Sequence, residues 1–229
     1  MKTRIKSILL SCLLITTMSV SAQYQNVYDY EDKPVVFGVR AGVAMSGQYN
    51  QDSEKSKLGI DIGFTVDFRL ADKLYLLTGL DYVVKGTKTK EGHEWERVHD
   101  GNGREYKGSL VRNPAYLQLP LRVGYKLPVA DKFYIMPYAG PYIAYGLGGK
   151  TKYTYTYLDN GDIETEKRDS FDGNVNRFDY GLGLGVSFEY SQFVLTAEYD
   201  WGLQRYVKKE HGYNDAKNKC LTITLGYKF

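Results

Sequence analysis

The sequence is poor in the residues and runs on which several protein classes depend. Its 229 residues include only 2 Cys and 3 His. After the N-terminal leader, its longest uncharged stretch, residues 133–149, is broken by Pro137, Pro141 and several glycines. The cysteine count excludes a disulfide framework and zinc binding by cysteine clusters. The broken stretch is a poor candidate for a lipid-spanning helix.

The chain also lacks a large excess of charge of either sign. The chain carries 30 Lys and Arg against 27 Asp and Glu, a formal net charge of +3. Three of the basic residues, Lys2, Arg4 and Lys6, lie in an N-terminal leader without acidic residues, so the remainder is close to neutral. Because no long basic run is present either, we expect no nucleic-acid partner.

The leader has the three parts of a secretory signal peptide. Lys2 to Lys6 form the basic region, residues 8–20 form the apolar region, and Ala22 ends a small-residue cleavage site. We expect a signal peptide over 1–22, a short periplasmic segment over 23–34 and one domain over 35–229. Lipidation at Cys12 is disfavoured by the short apolar run before it. Cys220 is then the only cysteine of the mature chain.

Alternation of side-chain type is the strongest pattern present. From Leu58 to Leu70 every second residue is apolar and the others are polar or glycine, which predicts a strand. At 13 residues it is longer than a typical globular strand of about 5–6 residues. Similar segments give eight predicted strands, at 35–47, 57–70, 73–88, 112–127, 132–148, 176–190, 192–206 and 219–229.

The connections between these strands alternate in length. Residues 71–72, 128–131 and 191 are short turns, whereas 48–56, 89–111, 149–175 and 207–218 are long. An even number of strands, with short turns at one rim and long loops at the other, is typical of an outer-membrane barrel. The fold class expected is all-β, an eight-stranded antiparallel up-and-down transmembrane β-barrel with long extracellular loops.

The position of the aromatic residues favours a membrane barrel over a soluble one. Residues such as Phe68 and Phe193 lie at the short-turn ends of the apolar face, and Tyr82 and Trp201 lie towards the long-loop ends. Two such girdles mark the two membrane interfaces. A soluble exported β-barrel binding protein, with the apolar face inside, is the other interpretation.

Charged residues alternate with the apolar ones and would face the barrel interior. An eight-stranded barrel is about wide enough for its own side chains, and buried charges need partners. We expect a structural network of ion pairs in a packed lumen, and a narrow channel for small solutes or ions is the alternative. The residues expected there are Arg40, Asp61, Asp67, Arg69, Asp81, Lys85, Arg122, Lys126, Glu189, Glu198 and Asp200, together with Asp179 and Lys228.

The third long loop contains a predicted hairpin. Tyr153, Tyr155 and Tyr157 continue the alternation beyond the membrane span, and Asn160-Gly161 favours a tight turn. A protruding strand presents an edge. We expect these tyrosines either to bind a surface partner by strand addition or to stabilise the hairpin.

Enzymatic function has little support in the sequence. His93, Glu94, His99, Asp100, His211 and Asp215 are the candidate rim residues, but no motif links them. Known nucleophile, phosphate-loop and zinc-protease motifs are missing. We expect no catalytic residue, no metal and no cofactor.

Several short motifs resemble one family of membrane proteins. They are the Ala22-Gln23 junction, residues 38–42 in the first strand, 114–121 in the fourth, 137–142 in the fifth, and the terminal residues 226–229. With these motifs the chain resembles the Bacteroidetes-type outer-membrane β-barrel proteins, often called PorT-like or porin-family proteins.

The resemblance implies a location and a set of partners. It implies the outer membrane of a Gram-negative, Bacteroidetes-like cell, contact with outer-membrane lipid, and a monomer. Tyr227 and Phe229 resemble the C-terminal signal that the barrel-assembly machinery recognises. Members of the family mostly lack an assigned activity, so the resemblance implies a structural or surface-interaction role through the loops, with an unknown surface protein as the partner.

Overall fold

The structure is a computed structural model that describes residues 33–49, 53–90, 95–99, 103–173, 175–207 and 215–229, with 95–99 described by backbone alone. The predicted signal peptide and residues 23–32 lie outside these ranges, and their assignment stays a prediction. Within these ranges no helix occurs. No helical segment of the described chain is therefore long and apolar enough to cross a membrane.

Eight long strands and four short ones make up the described structure. The long strands are β1 (Val35–Tyr49), β2 (Glu54–Arg69), β3 (Leu74–Val84), β6 (Glu105–Tyr125), β8 (Phe133–Tyr157), β10 (Phe178–Tyr190), β11 (Phe193–Arg205) and β12 (Lys217–Lys228). The short strands are β4 (Thr87–Thr89), β5 (Trp95–His99), β7 (Leu127–Ala130) and β9 (Ile163–Asp169).

All twelve strands belong to one antiparallel sheet, which confirms the predicted all-β antiparallel class. The pairings lead from β1 through β2, β3, β6, β8, β10 and β11 to β12. β12 pairs in turn with β1 over twelve positions, from Gly38 opposite Lys228 to Tyr49 opposite Lys217. The first and last long strands are therefore neighbours.

The strand count and strand lengths differ from the prediction. The sheet has 12 strands rather than eight, and its long strands range from 11 residues in β3 to 25 in β8, so it is unevenly built. The additional strands lie mainly in segments predicted as loops, where β5 pairs with β6 and β9 pairs with β8. Pairing satisfies backbone groups that an irregular loop would leave to water.

The burial of the alternating residues is the reverse of that in a water-soluble protein, because the apolar residues are exposed and the polar residues are buried. On β2 the apolar residues Leu58, Ile60 and Ile62 are exposed, whereas Asp61 and Asp67 are buried. The same inversion holds on the other long strands, where exposed Leu182 and Leu225 contrast with buried residues of the opposite face. The sheet therefore encloses polar groups and presents an apolar outer band.

Candidate functional site

The buried charged residues form the candidate site. Most come from inward positions of the long strands, and Lys85 and Lys126 directly follow β3 and β6. The buried charged residues occupy three levels of the interior, which we call the short-turn layer, the central layer and the long-loop layer. The short-turn layer contains Asp67, Lys126, Glu189 and Lys228; the central layer contains Arg40, Asp61, Asp81, Arg122, Glu198 and Asp200; and the long-loop layer contains Lys85 and Asp179.

Arg122 is the hub of the central layer. Its Nη2 atom lies 2.5 Å from Glu198 Oε1 and 2.5 Å from Asp200 Oδ1. Its Nη1 atom donates to the backbone carbonyls of Gly140, at 2.5 Å, and Pro141, at 2.6 Å. The guanidinium, buried to 1% exposure, thus connects β6, β8 and β11 across the interior.

Arg40 is the second cation of the central layer. Its Nε and Nη2 atoms donate to the two oxygens of Asp81 at 3.0 and 2.6 Å, a bidentate contact. Asp61 and Glu198 lie 4.0 and 3.9 Å from the same guanidinium. Tyr138 Oη donates to Glu198 at 2.9 Å. The two arginines thereby share Glu198 and connect the acids on opposite walls.

The short-turn layer centres on Glu189. Lys126 Nζ lies 3.0 Å from one of its oxygens, and Lys228 Nζ contacts the other. Lys228 Nζ also lies 2.7 Å from Asp67 Oδ2. Two lysines and two carboxylates close this end of the interior.

The long-loop layer combines an ion pair with aromatic rings. Lys85 Nζ lies 3.3 Å from Asp179 Oδ2 and about 5 Å from the ring centres of Tyr116 and Tyr142. Asn218 Nδ2 donates to the same Asp179 oxygen at 3.0 Å. The lysine is thus held by a carboxylate and by two ring faces.

Arg69 is the predicted lumen residue that the structure places elsewhere. It ends β2, its side chain is 28% exposed, and it pairs with the exposed Asp72 at 3.2 Å. The alternation gave it an inward face, but the strand ends there and the side chain lies at the short-turn rim. Arg69 is therefore more exposed than the predicted lumen residues of the three layers.

Several uncharged residues of the interior were missed from the sequence. Tyr116, Tyr138 and Tyr142 are buried beside the charged groups, and Gln118 Nε2 donates to Asp200 Oδ2 at 2.8 Å. Their positions in the sequence, alternating with the outward residues of β6 and β8, indicate that they face inwards. Tyrosine is also common in interfacial girdles, so the residue type alone does not indicate an inward position.

Glycine makes room for the arginine hub. A Cβ atom at Gly183 would lie 2.3 Å from both Arg122 Nη2 and Asp200 Oδ1. Any larger residue at this position would displace the ion pair. Gly181 and Gly185, which alternate with Gly183 along β10, leave room in the same way for Tyr142 and Tyr138.

A cavity of about 70 Å³ separates the central layer from the short-turn layer. Its wall includes Arg40, Arg122, Glu189 and Lys228, together with the hydroxyl-bearing Ser187. Such a space is large enough for a water molecule or two. No group of three or more His, Cys, Asp or Glu side chains in the described chain could hold a metal ion.

The long-loop mouth of the interior is covered by Phe171. Its ring packs edge-on against Tyr116, with ring centres 5.4 Å apart, and is 5% exposed. The ring lies directly over Gly146, where a Cβ atom would approach within 2.2 Å. The neighbouring Ser170 and Thr151 share a hydrogen bond of 3.1 Å.

Most of the rim residues considered for catalysis belong to segments outside the described ranges. His93, Glu94, Asp100 and His211 lie outside the described residues, as does the side chain of His99. The described member of the set, Asp215, pairs with Arg205 at 2.5 Å in an exposed contact.

Beyond the outer apolar band, β8 continues between β6 and β9 in a part of the sheet that we call the projecting sheet. The strand with the three tyrosines of the predicted hairpin does not form the edge of this sheet, contrary to prediction. Tyr153, Tyr155 and Tyr157 lie in β8, which pairs with β6 on one side and β9 on the other. They turn to the inward side, and Tyr157 is buried against Tyr106. The prediction failed because β6 extends as far as β8 does. Among the described strands, β9 forms the edge on this side.

Charge pairs stabilise this projecting sheet. Arg104 donates to both oxygens of Asp159, at 3.0 and 3.2 Å, and these contacts lower the pKa of Asp159. Arg168 donates to both oxygens of Glu166 and lowers its pKa in the same way. Partial burial raises the pKa of Tyr155.

The predicted aromatic girdles lie on the outer face. Phe37, Tyr190 and Phe193 are exposed towards the short turns, and Tyr145 and Trp201 towards the long connections. The C-terminal Phe229 belongs to the short-turn group, with its ring centre 5.6 Å from that of Tyr227. Both ends of the outer apolar band therefore carry aromatic rings.

The chain is similar to known proteins both in sequence and in structure. The family described as "Outer membrane protein beta-barrel domain" matches residues 21–206. No curated protein matches the sequence significantly. Ail of Yersinia pestis has 13% identity, a TM-score of 0.40 and coverage of 86% of this chain and 100% of its own. OprG of Pseudomonas aeruginosa has 15% identity, a TM-score of 0.43 and coverage of 86% and 97%.

Proposed function

Because the chain belongs to the outer membrane protein β-barrel domain family, we propose that its eight long strands form a closed transmembrane barrel with a packed, structural interior. The carrying observation is the inverted burial, in which large apolar side chains point outwards and charged side chains are enclosed. In water this arrangement would be unfavourable, whereas lipid accommodates the apolar band. It supports the membrane interpretation over a soluble exported barrel.

The proposed placement puts the short turns in the periplasm and the long connections outside the cell. We assign the protein a non-enzymatic role, and we retain the narrower Bacteroidetes-type, PorT-like relationship as part of the proposal. β12 ends in outward aromatic residues, and we assign Tyr227 and Phe229 to recognition by the barrel-assembly machinery. Phe229→Ala should slow assembly in cells without changing the refolded barrel; unchanged assembly would remove this assignment.

A gel-mobility comparison tests the barrel itself. The mature protein, refolded in detergent, should migrate differently in SDS with and without boiling, because a closed barrel resists SDS until it is heated. It should also precipitate when detergent is removed. A protein that stays soluble without detergent, with a mobility that boiling does not change, would support the soluble alternative.

The role at the surface is assigned to the projecting sheet. Residues 148–157 of β8 extend beyond the outward apolar residues, which end at Leu147. At about 3.3 Å per residue this corresponds to roughly 30 Å of strand. Its described edge, β9, is exposed along nearly its whole length, with Ile163 at 68% exposure. We propose that this sheet contacts an outside partner.

A shortened variant tests the surface role. Replacing residues 155–164 by Asn-Gly would join Thr154 and Thr165, which lie opposite each other, through a two-residue turn. The variant should keep its heat-dependent mobility but lose attachment of displaying cells to neighbouring or host cells. Unchanged attachment would reject this role while leaving the barrel assignment intact.

A narrow channel is the second candidate function. The cavity between the central and short-turn layers favours it, because the space adjoins charged groups that could exchange ions or protons with water. Arg122 closes the path above this cavity through its contacts on three strands. Conductance of the purified protein distinguishes the channel from a packed interior.

A further inference from the structure

One row of the sheet above the apolar band consists mainly of lysines. Lys55 lies opposite Lys88, Lys88 opposite Val111, Val111 opposite Lys152, and Lys152 opposite Lys167. The row therefore crosses β2, β4, β6, β8 and β9. Directly opposed residues of antiparallel strands share one face. At about 4.8 Å between strands, the row is about 19 Å long.

The register of β6 and β8 places this row on the outer face. Tyr145 lies opposite Leu117, and both are exposed to the outside. Between this pair and the row, Gly146 lies opposite Tyr116 but Gly148 lies opposite Ala115, so Leu147 is an extra residue in β8.

This bulge changes which residues of β8 point outwards. After it, Thr151 is buried and Lys152 is exposed. Lys88 and Lys167 are exposed as well, and Lys55 is half-buried. The lysine row thus continues the outer surface above the apolar band. Lys55 lies three residues, about 10 Å, from Leu58, and one extra residue of β2 between Ser56 and Asp61, relative to the facing strands, turns it to the same face as Leu58.

The row contains two directly opposed like charges. Lys55 faces Lys88, and Lys152 faces Lys167, and such pairs destabilise a sheet. Asp169 at the end of β9 lies on the face of the row, opposite Lys150, whereas Glu54, Glu164 and Glu166 turn to the other face. There Glu54 lies 3.5 Å from Arg112, Glu166 lies 2.7 Å from Arg168, and Glu164 accepts a hydrogen bond from Tyr157.

We propose that the lysine row binds the phosphate groups of glycolipids in the outer leaflet. An anion between opposed ammonium groups would offset their repulsion, and the apolar band directly below would contact the acyl chains of the same lipid. Flexible lysine stems can lie along the apolar surface while the ammonium groups reach the headgroup. The inference rests on the proposed transmembrane placement of the barrel.

The test measures binding of diphosphoryl lipid A to the full mature protein in a zwitterionic detergent. Lys152→Gln combined with Lys167→Gln should weaken binding about thirtyfold, about fivefold per lysine, and raised salt should reduce binding by the wild type. The matched control combines Lys33→Gln with Lys73→Gln, which removes two exposed lysines at the short-turn end. The control should bind within twofold of the wild type.

A second measurement distinguishes a specific effect of the lysine row from the general effect of losing positive charge. Without lipid, Lys167→Gln should make the protein more resistant to unfolding, because it removes the repulsion with Lys152. With lipid A it should gain less stability than the wild type. Lys55→Gln with Lys88→Gln provides an independent variant of the same row and should behave alike.

Two results would overturn the inference. One is an equal affinity for lipid A of the wild type and both row variants. The other is that inorganic phosphate, at the same concentration as lipid A, competes equally well for the row, which would assign the row to free phosphate. Gel mobility with and without boiling is measured first on every variant. A wild type without a heat-dependent band would instead contradict the proposed barrel.

Discussion

At the scale of single residues, the interior depends on a few cations that are shared among several acids. Arg122 contacts Glu198 and Asp200, and Arg40 contacts Asp81. Side-chain alternation was sufficient to predict these residues because a strand points every second residue inwards. It did not predict Tyr138 or Gln118, whose role depends on which buried charge lies within reach.

Arg122→Met should destabilise the barrel by about 3–5 kcal/mol, because removing one partner leaves buried carboxylates without a counter-charge. Urea unfolding in lipid vesicles measures the change. The triple variant that also carries Glu198→Gln and Asp200→Asn should recover a large part of the loss. A single variant as stable as the wild type would show that the hub contributes little.

Arg104→Gln should raise the pKa of Asp159 towards its ordinary value, since the guanidinium contacts lower it. Because the contact lowers the pKa of Asp159 in the folded state, it stabilises the hairpin at pH values above the ordinary aspartate pKa of about 3.9. The stabilisation is lost as the pH falls through the folded-state pKa. Carboxyl NMR titration measures the shift, and Arg168→Gln should move the pKa of Glu166 and leave that of Asp159 unchanged.

At the scale of elements, β8 explains most of the difference between the predicted and the observed fold. The sequence predicted a strand over 132–148 and a separate hairpin above it, whereas β8 is continuous from Phe133 to Tyr157. The bulge at Leu147 changes which residues point outwards, and this cannot be read from a strict period of two. The tyrosines of the hairpin therefore lie in a strand that is paired on both sides, on the inward face of the projecting sheet, instead of forming an edge.

Gly146→Val should displace Phe171 from the mouth, because a side chain at this position would overlap the ring. We expect a loss of about 1–3 kcal/mol from overpacking and faster hydrogen exchange at residues 170–173. Gly148→Val is the matched control, since a Cβ atom there meets nothing within 4 Å. Equal exchange in the two variants would contradict the assigned packing.

At the scale of the whole molecule, the sequence predicted the all-β antiparallel class and the inverted pattern of burial. Both follow from alternation repeated over many strands, which is robust to errors at any one strand end. The lateral extensions β4, β5, β7 and β9 could not be predicted in the same way. They depend on which neighbouring strand continues far enough to accept their hydrogen bonds.

The purified protein should give no steady conductance steps in a planar bilayer, because the three charged layers fill the interior. Single-channel recording at high salt measures this, and Glu198→Gln serves as the comparison variant. Regular steps in the wild type, altered in Glu198→Gln, would instead support the channel function.

The pairing of β1 with β12 has a consequence for how the chain acquires its structure. Gly38 and Lys228 are opposite each other although they lie at nearly the two ends of the described chain. Contacts between residues so distant in sequence form slowly, because the chain loses much loop entropy before they stabilise it. The first strand must therefore wait for the last one to be synthesised. A circular permutant that joins the present ends and opens the chain at a long connection would make this final pairing local.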